Sequence, residues 1–226
     1  MTQQQQTPSG AQRGKLRGKQ LEIYKLSLKL TDVQREVIIG TLLGDASMSL
    51  RNGKPCYSIK FEQGEANADY VNHLYELFEP FTGTPPAWRW IDKNRTRRAR
   101  WFRTYRHDSL IFYWNLFYVL DGRKIVSKKI AKFITPRVLA YWFMDDGNQT
   151  SDSKTYCLNT QGFSKHESEM LCEILKEKFK ITASVNKDKD SWRIYVWRES
   201  AETFRALVEP YVLSCFDYRL KIDPQG

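Results

Sequence analysis

The sequence predicts an α+β chain made of two repeated halves, and three observations carry that prediction. First, Ile38–Ala46 (IIGTLLGDA) and Leu139–Gly147 (LAYWFMDDG) each run as an uncharged segment into aspartate, with Asp146 placed 101 positions after Asp45 (146 − 45). Second, Tyr70, Leu74 and Phe78 recur as Leu171, Leu175 and Phe179, again 101 further on, so one helical register is kept in both halves. Third, each uncharged segment is followed by alternating segments bounded by turn residues and then by segments of helical period.

In chain order, residues 1–20 hold four consecutive glutamines, Pro8 and several glycines, with no acidic residue before Glu22. That composition predicts a disordered tail. Arg13, Lys15, Arg17 and Lys19 make it basic, suited to phosphate contact, to organelle targeting or simply to solvation. A first half at 21–122, a connector at 123–134 and a second half at 135–226 complete the partition. Thr31 and Gln34 form a capping-box pattern, and Val33 and Val37 begin an apolar face that continues to Asp45. Gly40 and Gly44, four apart, leave room for a second backbone.

Met48–Leu50 and Tyr57–Phe61 alternate as strands around an Arg51-Asn52-Gly53-Lys54 turn. Asn67–Phe81 repeats its apolar residues at helical spacing and is closed by Pro80 and Gly83. Two strands flanking Asn94 are predicted within Trp88–Arg106, then a helix over His107–Leu120 and a polar connector over Asp121–Lys132. Thr135 and Pro136 supply an N-cap and a favoured first helical residue for a helix reaching the aspartates, which Gly147 can end. The second half continues with a strand at Tyr156–Thr160, a helix at Lys165–Phe179, strands at Ile181–Asn186 and Trp192–Trp197, and a last helix at Ala201–Leu213.

With 226 residues and 41% hydrophobic content, the chain can bury a core as one domain or as two fused halves of about 100 residues. Its net charge is +10 although 26 residues are acidic, and the pI is about 9.4, so the basic excess is concentrated and favours a polyanionic partner. The concentration lies in Trp88–Arg106, where Arg89, Lys93, Arg95, Arg97, Arg98, Arg100, Arg103 and Arg106 face only Asp92 and alternate with aromatic rings. On two strands this makes a basic ribbon suited to a nucleic-acid groove. Cys56, Cys157, Cys172 and Cys215 show no CxxC spacing and the three histidines are scattered, which excludes a zinc-finger or His-rich metal site. The sequence shows no membrane-spanning run and no signal-peptide core, so a soluble intracellular protein is expected.

The aspartates ask for a chemical reason. A helix C-terminus carries partial negative charge and disfavours anions by several tenths of a kcal/mol, and a helix apolar on every face is buried. Carboxylates at the end of such a rod invite a cation. With the nine-residue pattern repeated at half-chain spacing, the chain resembles the LAGLIDADG homing endonucleases, specifically the single-chain kind with two copies of the motif. The second copy is the closer match; the first has Thr41 at an apolar position and Ala46 in place of glycine.

The resemblance spans about Leu30 to Ile222. It implies duplicated αββαββα halves about a pseudo-twofold axis, with two antiparallel sheets forming a saddle over double-stranded DNA, in a monomer. It implies a site-specific endonuclease that cuts both strands across the minor groove of a long asymmetric target and promotes intron or intein-type mobility. Its expected home is an organelle, or a bacterial cytoplasm or nucleoid. The metal would be Mg²⁺, with Mn²⁺ able to substitute, held by Asp45 and Asp146, with the Ala46 carbonyl and Asp145 as further candidate ligands. Glu62 and Gln161 match the polar residue on the strand after each motif. Arg123 and Arg219 match the basic residue further along, with Lys124 or Lys221 as alternatives. DNA contacts are expected from Ser49, Arg51, Lys60, Trp90, Lys93, Arg95, Arg97, Arg98, Arg100 and Arg103 in the first sheet. In the second they are expected from Gln149, Thr150, Lys154, Lys187, Lys189, Trp192 and Arg193. The alternatives are an RNA maturase acting on intron RNA, or a DNA-binding protein that no longer cuts.

Overall fold

A central pair of helices joins two four-stranded antiparallel sheets in the computed structural model, which describes residues 16–150 and 154–221. Most of the expected basic tail lies outside the described residues, but a helix α1 (Gly18–Ser27) begins inside its predicted bounds. Tyr24 anchors α1 by donating its hydroxyl proton to the Pro80 carbonyl at 2.8 Å.

The central pair is α2 (Asp32–Leu43) and α5 (Pro136–Asp146). The capping box opens α2: the Gln34 amide N–H donates to Thr31 Oγ1 at 3.2 Å, and the Thr31 N–H donates to Gln34 Oε1 at 2.9 Å. The Thr135 hydroxyl accepts from the Val138 N–H to open α5, ahead of Pro136. Val37–Leu43 and Val138–Met144 are buried throughout. Such burial needs backbones in close approach, which the glycines permit. A Cβ added to Gly40 would lie 2.6 Å from the Val138 carbonyl oxygen, and one on Gly44 would lie 2.6 Å from Asp145 Oδ2.

The first sheet has the order β1-β2-β4-β3, from β1 (Ser47–Arg51), β2 (Lys54–Gly64), β3 (Ala87–Trp90) and β4 (Arg98–Arg103). Asn52 and Gly53 both take positive φ between β1 and β2, as a two-residue hairpin of this twist requires. Helix α3 (Ala68–Phe78) covers one face, where Phe61 stacks on Phe78 and Phe102 with centroids 5.1 and 4.9 Å apart. The helix expected over His107–Leu120 is shorter: α4 spans Ile111–Phe117. It stops because Tyr118 turns extended to bridge Lys124, and its hydroxyl accepts the Met48 N–H at 2.8 Å.

The second half repeats the plan with β5 (Gly147–Gln149), β6 (Tyr156–Asn159), α6 (Lys165–Phe179), β7 (Ala183–Asp188), β8 (Ser191–Val196) and α7 (Arg198–Val208), in sheet order β5-β6-β8-β7. Strand β5 follows α5 without a loop. The last helix ends before the expected Leu213, because Pro210 falls in a following 3₁₀ turn, Glu209–Tyr211. Among the described residues no helix is long and apolar enough to cross a membrane.

Candidate active site at the ends of the paired helices

Because α2 and α5 cross closely and end at the same level, their terminal acids come together. The Asp45 backbone N–H donates to Asp145 Oδ2 at 3.1 Å. Gln63, on β2, donates from one amide nitrogen to Asp45 Oδ2 at 2.7 Å and to Asp145 Oδ1 at 3.3 Å, while its own oxygen accepts from Asn67 Nδ2. Asp45 is open to solvent on one side and crowded by protein on the other. That crowding raises its carboxyl pKa, against the hydrogen bond from Gln63 and the charges of Lys124 and Arg219. Desolvation and the Asp45 charge push Asp146 up to about 7, with the same two cations opposing. Asp145, flanked by both other acids, is pushed well above the usual carboxylate range, first by desolvation and then by their charges. The Tyr70 hydroxyl is buried beside it and makes no hydrogen bond of ordinary geometry.

Two cations sit behind these acids. Lys124 Nζ donates to the Gly44 and Ala46 carbonyls at 2.9 and 2.8 Å. An Arg219 terminal nitrogen donates to the Met144 and Gly147 carbonyls at 2.9 and 2.8 Å. Ala46 and Gly147 hold equivalent positions in the two motifs, so Lys124 and Arg219 are counterparts. This corrects the expectation for Arg123, which is exposed and whose backbone N–H bonds the Asp121 carboxylate. The Gly122 turn, with φ +84°, and the Tyr118–Lys124 bridge bring the next residue inward instead. Burial lowers the Lys124 pKa while all three aspartates raise it. The Ala46 carbonyl, expected as a metal ligand, already accepts from Lys124.

Glu62 is also corrected. It pairs with Arg89 and, at 2.7 Å, with Lys60, on the sheet face away from the helices. Strand alternation decides this: Phe61 points to the core, so Gln63, two residues on, shares its side and reaches the helix ends. In the second half Thr160 donates its hydroxyl proton to the Trp192 carbonyl at 2.9 Å. Gln161 stands apart from the acids; in the amide orientation that satisfies both partners, its oxygen accepts from Arg193 Nε at 3.0 Å.

The same parity sorts the expected DNA contacts. Residues paired across strands share a face, and Lys60↔Arg103, Glu62↔Trp101 and Arg89↔Ala99 lie opposite the core pair Phe61↔Phe102. Ser49, Arg51, Lys60 and Arg103 therefore stand on the face away from the helices, and Arg89 and Trp101 join them. Trp90, Arg98 and Arg100 stand on the helix side, where Arg100 Nε donates to Asn72 of α3 at 2.9 Å. Lys93, Arg95 and Arg97 occupy the exposed turn, with Arg95 at φ +57° and the Asp92 carboxylate accepting the Thr96 and Arg97 N–H groups.

In the second sheet Arg193 lies on the outer face with Asn159 and Asn186, and pairs with Asp188 at 2.9 Å. Trp192 and Lys187 pair on the helix side, and Lys165 of α6 sits 5.4 Å from the Trp192 ring centroid. Gln149 lies opposite the core residue Tyr156, which places it on the helix side as well. Thr150 and Lys154 stand at the β5–β6 hairpin, and Lys189 turns between β7 and β8 with φ +53°. Asn148, Asn159, Tyr218 and Arg219 line a cleft beside Asp145.

Comparison with known proteins identifies the family and the fold. The model of the LAGLIDADG DNA endonuclease family matches residues 35–204. The probable intron-encoded endonuclease 1 of Wickerhamomyces canadensis is 32% identical over 203 residues, covering 84% of this chain and 85% of that protein. The DNA endonuclease I-ChuI of Chlamydomonas applanata is 27% identical over 216 residues, covering 88% and 99%. Cytochrome b mRNA maturase bI2 of Saccharomyces cerevisiae is 28% identical over 197 residues, covering 81% of this chain and 46% of that one. The solved structure of the homing endonuclease I-WcaI bound to its DNA recognition sequence shares the fold with a TM-score of 0.82 and 30% identity, covering 91% and 94%. The chain belongs to the LAGLIDADG DNA endonuclease family, in its single-chain form with two motif-bearing halves.

Proposed function

We propose that this chain is a site-specific endonuclease that hydrolyses one phosphodiester on each strand of duplex DNA across the minor groove, with Asp45 and Asp146 as its principal acids. The observation that carries this reading is the pairing of two crowded carboxylates at the helix ends, each backed by one cation, Lys124 or Arg219.

The donor set fits a hard divalent cation. Asp45 and Asp146 offer hard carboxylate oxygens at the paired helix ends, where burial disfavours a bare anion. Mg²⁺ is commonly held by one or two carboxylates together with waters and substrate phosphate oxygens. When bound, it would polarise the phosphate and lower the pKa of a bound water. The chain's own residues do the rest. Asp45 and Asp146 would hold the cation, Gln63 orients Asp45, and Lys124 and Arg219 would neutralise charge that builds on the scissile phosphates. Arginine does not give up its proton, so charge stabilisation is the role common to both cations. Lys60, Arg89, Arg103 and Arg193 on the outer sheet faces would hold the duplex backbone, which positions without specifying sequence.

The test is to incubate the protein and Mg²⁺ with a randomised duplex library and sequence the broken ends. One long asymmetric site with staggered ends is expected, and cleavage should cease in chelator. Absence of any enriched cut site would refute the reading. A second activity, with RNA as named for the Saccharomyces maturase, is favoured by an exposed tryptophan–arginine surface on the first sheet.

A further inference from the structure

The helix-side face of the β3–β4 hairpin carries chemistry that the acid centre does not use. Trp88 pairs with Arg100 and Trp90 with Arg98, so all four side chains share one face. All four residues of β3 are exposed, with Trp88 at 40% and Trp90 at 48%. Soluble chains rarely leave two large indoles open on neighbouring positions of one face without use.

The arginines are arranged around the rings. The Arg98 guanidinium carbon lies 4.3 Å from the Trp88 ring centroid and that of Arg100 lies 5.2 Å away. Glu65 holds Arg98 and Asn72 holds Arg100, so both guanidinium groups are fixed rather than sweeping through solvent. Lys93, Arg95 and Arg97 continue the positive charge around the turn. Of the two nearby acids, Asp92 spends its oxygens on turn N–H groups.

We infer that this face binds single-stranded RNA, with an unpaired base stacking on Trp90 beside the Trp88 ring that Arg98 and Arg100 already cover, and phosphates meeting Arg100 and the turn cations. Fixed aromatic rings interleaved with cations suit unpaired bases, which have two free π-faces, whereas the bases of a DNA duplex are already stacked on each other. Folded RNA presents such bases in loops and bulges. The duplex-facing side of the sheet lies opposite, so RNA and target DNA should bind together. This assignment rests on the RNA reading above and is independent of the nuclease centre.

The experiment measures binding of a fluorescent unstructured RNA oligonucleotide to the full chain by anisotropy, with and without saturating target duplex. Trp88→Ala with Trp90→Ala should weaken RNA binding by roughly tenfold or more, given the usual contribution of one stacked base. Phenylalanine at both positions should restore most of it, while DNA cleavage stays unchanged. RNA binding equal to wild type in the alanine variant would overturn the surface while leaving the RNA reading intact. Absence of RNA binding by the wild-type chain would overturn both. Full displacement of RNA by target duplex would place RNA in the DNA groove instead. A change of oligomeric state in the alanine variant, seen by sedimentation, would make the face a contact between copies.

Discussion

The backbone N–H of Asp45 donates to the carboxylate of Asp145 at 3.1 Å, so an acid of the first half is positioned by a side chain of the second. Gln63 reinforces the link by touching both carboxylates. Asp145→Ala should therefore release the Asp45 N–H and one Gln63 proton to solvent and loosen the placement of Asp45, while also relieving the crowding of three acids, so the two effects on stability oppose and the net change should be small. A urea melt checks the stability, and a cleavage assay should show both strands affected.

Removing charge at Asp146 should raise stability. Its carboxyl is raised from 3.8 to about 7 in the folded chain, so the folded state binds more protons than the unfolded state between those values. The stability this group contributes is present below about pH 4 and is lost as pH rises to about 7. Asp146→Asn has no such loss. In chelator its stability should exceed the wild type's by an amount that grows from pH 4 to 7 and then levels off at roughly 2–4 kcal/mol. Melts across that pH range test this, and a difference that shrinks with rising pH would contradict it.

Much of the fold and of the acid centre was legible because the signals were local. Thr31 with Gln34, and Thr135 with Pro136, announced the starts of the two helices, and Gly147 the end of the second. What was misread turned on parity and loop geometry. Glu62 and Gln63 are both polar, and only counting in steps of two from Phe61 tells which one faces the helix ends. The same count from Phe102 puts Arg98 and Arg100 on the helix side, away from Lys60 and Arg103. Lys124 rather than Arg123 reaches the motif carbonyls because Gly122 and the Tyr118–Lys124 bridge turn the chain there, a tertiary choice with no periodicity to reveal it. Strand β5 was too short to show an alternation of its own.

Parity also makes an electrostatic prediction. Lys60→Ala and Arg103→Ala should each weaken DNA binding and reduce the slope of log affinity against log salt by roughly one per lost phosphate contact. Arg98→Ala, on the other face, should leave that slope unchanged. Titrations at several salt concentrations distinguish the two groups, and equal effects from all three would contradict the assignment of faces.

The cations behind the acids should matter in a residue-specific way. Lys124→Met and Arg219→Met should each slow cleavage by roughly a hundredfold or more, the usual cost of removing one fixed group that stabilises developing charge. Arg123→Met should cleave near the wild-type rate. Single-turnover kinetics at saturating protein, beside a melt to confirm folding, make the comparison.

The most direct test of the paired-acid centre uses a target duplex labelled on each strand, cut by wild type, Asp45→Asn and Asp146→Asn in Mg²⁺, with specific binding measured in Ca²⁺. Each substitution keeps side-chain volume and removes one carboxylate charge. Loss of double-strand cleavage in both variants, with specific binding retained, is the predicted result; double-strand cleavage at the wild-type rate by both would contradict it.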